Sequence, residues 1–69
     1  MEISARNQLK GTITGITLGG VMAEVVVGIG GGNQIVSAIT RGAVESLGLR
    51  EGLAVTAIIK STEVMLGKD

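Results

Sequence analysis

Apolar and polar positions alternate from the beginning of the chain. On an extended backbone Ile3, Ala5, Asn7 and Leu9 point one way, while Ser4, Arg6, Gln8 and Lys10 point the other. The period of two continues through Thr12, Thr14, Ile16 and Leu18, so one strand is predicted over residues 3–18, with Gly11 and Gly15 marking a bulge or bend. Gly19 and Gly20 then supply a tight turn. Residues 21–29 are β-branched and mostly apolar, residues 30–33 make a second turn, and alternation resumes over residues 34–39. These segments form a three-stranded meander.

Only residues 40–48 have helical logic: Thr40 suits an N-cap, Ala43, Val44 and Leu47 share a face, and Gly48 suits the position after a C-cap. Residues 49–52 turn the chain and residues 53–60 alternate again. After the polar break of Ser61, Thr62 and Glu63, the apolar residues 64–66 make a short last strand. Five short strands, with one small helix between the third and fourth, predict an all-β fold: an OB-like barrel, closed or nearly so. At 69 residues the chain accommodates one domain, residues 1–69.

A core of this size is marginal. So short a domain buries roughly 60% of its unfolded surface and ordinarily leans on a disulfide, a metal or a partner subunit. There is no Cys and no His, hence no disulfide, no thiolate nucleophile and no nitrogen or sulfur metal site of the usual kind. A partner subunit remains, and an apolar fraction of 45% beside a charged fraction of 17% predicts that some apolar surface meets another copy. Six Lys and Arg balance six Asp and Glu, and Phe, Tyr and Trp are absent, which opposes nucleic-acid binding by either phosphate attraction or base stacking. The longest uncharged run, residues 25–40, is interrupted by Gly28, Gly30, Gly31 and Gly32, so no membrane span of about 20 apolar residues is predicted. Met1, Glu2, Ile3 and Ser4 lack the basic start of a secretion signal, so a cytoplasmic location is expected.

Catalysis finds no support in the residues. A nucleophilic site without His or Cys would need a Ser and Lys dyad such as Lys60 with Ser61 or Ser4, and the acidic residues are scattered singly. Gly28 to Gly32 resembles a dinucleotide loop in outline, yet a strand follows where a helix must open, and a hairpin turn explains it better. An oxyanion site is the chemistry that survives. Ser4 and Arg6, two apart on a predicted strand, stand on one face about 6.5 Å apart and offer a hydroxyl beside a guanidinium. Lys60 and Ser61 repeat that chemistry where the strand over residues 53–60 ends, and Thr40 opens a helix whose first amides face outward. The bland alternative is that Arg6 and Lys60 are ordinary surface charges and Thr40 a plain cap, and spacing alone favours that alternative without settling the choice.

At these residues the chain resembles the small Mop-type molybdate-binding proteins, or molbindins. The run Ser4, Ala5, Arg6, Asn7, Gln8 matches the start of that family. Residues 23–25, 37–40, 47–52 and 59–65 follow in the family's order and spacing. The resemblance covers essentially the whole chain, as a single Mop domain without the DNA-binding or ATPase parts of larger relatives. It implies an OB-like barrel assembled as a homohexamer, a trimer of dimers, with molybdate or tungstate held between subunits. It further implies that Ser4, Arg6, Lys60 and Ser61 act from one subunit, and Thr40 with the amides after it from a neighbour. Where relatives often place Ser three residues beyond this Thr, the chain has Ala43, whose backbone N–H is the contact left. Asn7 and Gln8 are candidates for additional anion contacts on a symmetry axis. No direct metal ligand is implied, because molybdenum or tungsten enters as its oxyanion.

The expected function is therefore intracellular molybdate or tungstate binding for storage or homeostasis, with no turnover. A tetrahedral dianion carries only acceptors, so a pocket of cations, hydroxyls and amides suits it. The competing expectation is a structural oligomerisation module whose pockets take any common anion. An OB-type nucleic-acid binder is a third, weakened by zero net charge and missing aromatics.

Overall fold

β-branched, alternating sequence becomes a sheet wherever a neighbouring strand exists to pair with it, and the computed structural model, which describes Met1–Asp69, shows where those neighbours are. Strand β1 spans Asn7–Leu18, β2 Met22–Gly30, β3 Asn33–Thr40 and β4 Ala54–Ile59, with helix α1 at Arg41–Ser46 between the last two and a 3-10 turn at Ser61–Glu63. All pairings are antiparallel, in the order β3-β2-β1-β4. The architecture is the predicted one in class: mainly β, a curled OB-like half-barrel, with one short helix after the third strand.

Strand β1 serves two neighbours in turn. Its first half pairs with β4 from Asn7↔Ile59 to Thr12↔Ala54, and its second half with β2 from Thr12↔Gly28 to Leu18↔Ala23. Between Ile13 and Gly15 the register slips, leaving Thr14 as the extra residue of a bulge that bends the strand. Gly11 is required just before that bend, since a Cβ there would press into the Gly28 carbonyl oxygen and lie 2.8 Å from the Val27 side chain. The β2–β3 hairpin turns on Gly31 (φ 63°) and Gly32 (φ 78°), the left-handed pair that a two-residue hairpin favours.

The helix begins and ends on the predicted residues. Thr40 accepts the Ala43 N–H through its hydroxyl oxygen at 3.0 Å. At the other end Gly48 takes φ 62°, its N–H reaching the Glu45 carbonyl (3.1 Å) and that of Leu49 the Val44 carbonyl (3.0 Å), which satisfies carbonyls the helix leaves over. Val44 thereby packs against Ile13, Ala23, Val25 and Val27, and these five are the only buried side chains.

Two expectations give way. The first strand starts at Asn7 and not at Ile3: the chain bends at Ser4, and the Gln8 side-chain amide closes the bend on the Ala5 carbonyl at 2.7 Å. Strand β4 stops at Ile59, so residues before Asn7 have no ladder partner. The fifth strand is also absent, leaving four strands and an open barrel. Three residues hold an extended form only against a neighbour, and Met65 and Leu66 instead stand 92% and 94% exposed.

The chain is spread wide for its mass. A compact protein of this size exposes roughly 4,000 Å², whereas this one exposes 5317 Å². Its radius of gyration is 12.7 Å, against about 11 Å for a compact chain of equal length.

Candidate functional site

The β1–β4 ladder brings two cations to one place. Its last pair is Asn7↔Ile59, and Arg6 and Lys60 are the residues just beyond it, one on each strand's end. Both are exposed. Neither has a carboxylate partner: the single ion pair of the protein joins Arg41 to Glu45 at 3.2 Å. Cations at one end of a sheet without a counter-charge are suited to an anion that takes charge-assisted hydrogen bonds from both.

Hydroxyls flank the cations. Ser61 follows Lys60 directly and opens the 3-10 turn, which the Glu63 N–H closes on the Lys60 carbonyl at 2.9 Å. Ser4 precedes Arg6 by two residues but sits in the bend, so the extended spacing that predicted a shared strand face does not apply. Asn7 is half-buried on the inner side, away from Arg6, and the Gln8 amide is committed to Ala5.

Thr40 lies elsewhere. It pairs with Met22, one step beyond Ala23↔Ile39, at the Leu18 end of β1. Strand β1 is 12 residues long. Even bent to a right angle at the Thr14 bulge, such a strand keeps its ends roughly 25 Å apart, while the hydrogen bonds around an anion reach about 3 Å. One copy therefore does not bring Thr40 to Arg6 and Lys60. The Thr40 oxygen is occupied by the Ala43 N–H, which leaves the hydroxyl proton free to donate outward but engages the amide expected to replace the missing Ser.

Sequence reasoning passed over Arg41. Its backbone N–H donates to the Val21 carbonyl at 2.7 Å and its Nη1 to the Gly19 carbonyl at 3.2 Å, which ties the first turn to the start of the helix and to Thr40. The legible signal was its spacing of four from Glu45.

Residues 3–66 match the model of the TOBE domain. Molybdenum-pterin-binding protein 1 of Clostridium pasteurianum is 56% identical over 66 residues, an alignment that covers 96% of this chain and 97% of that protein. The chain belongs to the Mop family of TOBE domains. Two solved structures superpose on nearly all of it. MopII from Clostridium pasteurianum, in an apo form, has a TM-score of 0.91 and 54% identity, covering 97% of this chain and 100% of that one. The molybdate-binding protein from Sporomusa ovata has a TM-score of 0.91 and 43% identity, covering 99% and 100%. This Mop chain has no helix long and apolar enough to cross a membrane.

Proposed function

We propose that residues 1–69 act as a single Mop domain that binds molybdate or tungstate in the cytoplasm, for storage or homeostasis and without turnover, at seams between copies in a homohexamer, a trimer of dimers. The relatives reported above are named as binding proteins. The observation that carries the reading is that Arg6 and Lys60 adjoin the last β1–β4 pair, Asn7↔Ile59, both exposed and without a carboxylate partner. In this reading the two cations balance a dianion, Ser4 and Ser61 donate beside them, and Thr40 arrives from a neighbouring copy with its free hydroxyl proton. The separation of Thr40 from Arg6 along β1 supports the neighbour.

Selectivity follows from reach. Molybdate and tungstate share charge and nearly the same size, so donors set for one suit the other, whereas the smaller sulfate leaves some donors unsatisfied. Phosphate brings a proton that neither cation can accept, so it competes for the hydroxyl oxygens. The test is calorimetric titration of wild type, Arg6→Ala and Lys60→Ala with molybdate and with sulfate. Each variant is expected to weaken molybdate binding about tenfold or more, in line with roughly 1.5–3 kcal/mol for a charge-assisted hydrogen bond. Affinities within error of wild type would remove both residues from the site. The small core and large exposed apolar surface favour, as a second reading, a structural oligomerisation module with unselective pockets. Equal affinity for sulfate and molybdate would establish it.

A further inference from the structure

We infer that Arg41 is a positioning residue of the oxyanion site: its guanidinium straps the first turn of α1 to the β1–β2 turn and so fixes the aim of the Thr40 hydroxyl. This rests on the place given to Thr40 above and names what holds it there.

Thr40 stands where three thinly held pieces of chain meet. It closes the edge strand β3, whose last pair is Met22↔Thr40 and whose other side has no strand. It caps a helix of 6 residues in which Val44 is the one buried side chain, well short of the roughly 12–15 residues at which a helix begins to persist unaided. Alongside runs the turn of residues 19–21, two glycines with no side chain to pack and then Val21 at 75% exposure. That turn is closed by the Gly19 N–H on the Met22 carbonyl at 2.7 Å.

Arg41 joins these pieces with polar bonds. Its backbone N–H reaches the Val21 carbonyl at 2.7 Å, its Nη1 donates to the Gly19 carbonyl at 3.2 Å, and its Nε donates to Glu45, one helical turn on, at 3.2 Å. The other side-chain hydrogen bonds of α1 stay within the helix and its cap, so Arg41 alone ties α1 to another element in this way. The ion pair is exposed, with the two side chains 45% and 65% accessible, and such a pair adds little stability. Its use is geometric: Nε and Nη1 leave a planar guanidinium at a fixed angle, so bonds from both set the turn and the helix relative to each other.

The cap depends on that setting. The Thr40 oxygen accepts the Ala43 N–H at 3.0 Å only while residues 41–43 keep the helical turn, and that bond holds the oxygen in place with its proton turned outward. A donor already aimed has less freedom to lose when an anion arrives. Without the strap, the first turn of α1 frays and the hydroxyl loses its direction, while the sheet and its core stay as they are.

Two measurements on the full-length protein test this. In calorimetric titration with molybdate, Arg41→Ala is expected to bind about three- to tenfold more weakly than wild type, the range of one hydrogen bond. The double variant Arg41→Ala, Thr40→Val is expected to bind no more weakly than Thr40→Val alone, since a strap has nothing left to aim. Wild-type affinity in Arg41→Ala would overturn the inference, and so would additive losses in the double variant, which would mean that Arg41 acts as a charge or a contact of its own. In amide exchange followed by NMR, Arg41→Ala is expected to speed exchange of the Ala43 N–H severalfold while the amides of the central strand β2 keep wild-type rates. Unchanged exchange at Ala43 would overturn the inference, as would equal acceleration throughout β2, the sign of a general loss of stability. A wild type that binds no molybdate removes the site reading, and with it the positioning role, whereas the exchange data then report on the strap alone.

Discussion

The hydroxyl of Thr40 accepts the N–H of Ala43 at 3.0 Å, so one side chain caps α1 while keeping a proton of its own to give away. Capping and anion contact are separable by substitution. Thr40→Asp retains an acceptor for the cap but replaces the donor with a negative charge. Its thermal midpoint is expected to stay near wild type while molybdate affinity falls tenfold or more. Thr40→Val loses the cap as well, at about 1 kcal/mol, which is roughly 4–8 °C in a domain of this size. Paired melting and titration experiments distinguish the two, and full molybdate affinity in Thr40→Asp would take this residue out of the site.

Ala43 offers the converse change. With its N–H held by Thr40, this position has no donor to spare, and a hydroxyl would supply one at a half-buried site beside the cap. Ala43→Ser is expected to tighten oxyanion binding by about three- to tenfold, the range of one added hydrogen bond. Unchanged affinity by calorimetry would mean that the first turn of α1 does not face the ligand.

The β2–β3 hairpin makes a sharper stability prediction. Gly31 and Gly32 both hold positive φ, where a side chain costs about 1–2 kcal/mol per residue. Gly31→Ala and Gly32→Ala should each lower the melting temperature, whereas Gly20→Ala, in a turn without positive φ and with open space around it, should scarcely change it. Equal shifts in all three would contradict the turn geometry.

Ile13 is the most enclosed side chain, 1% exposed, at the bend where β1 passes from β4 to β2. Ile13→Val should cost about 0.5–1.5 kcal/mol and Ile13→Ala about 2–5 kcal/mol. With so few buried partners, the Ala variant is expected to lose cooperative unfolding in a denaturant titration. A sharp, wild-type-like transition would show that the core lies elsewhere.

Periodicity located β2, β3, β4 and both ends of α1 to within about a residue, because alternation, Gly turns and capping are local properties of the chain. The start of β1 and the fate of residues 64–66 depended instead on which strand lies alongside, and no local pattern carries that. Ser4 illustrates the difference: alternation runs through it, but β4 ends before reaching it. The site was half legible in the same sense. Residue types marked Arg6, Lys60, Thr40 and the serines, yet only the register brings Arg6 and Lys60 to the same end of the β1–β4 ladder and sends Thr40 to the far end of the strand. Arg41 was hidden because its Gly19 partner lies 22 residues away.

Five enclosed side chains are thin support for a folded chain. If most of the remaining stabilisation comes from neighbouring copies, it follows mass action, and the melting point climbs with protein concentration. Dilution would then loosen the particle and, with it, any oxyanion held at the seams between copies, so that occupancy depends on protein concentration as well as on the anion's own.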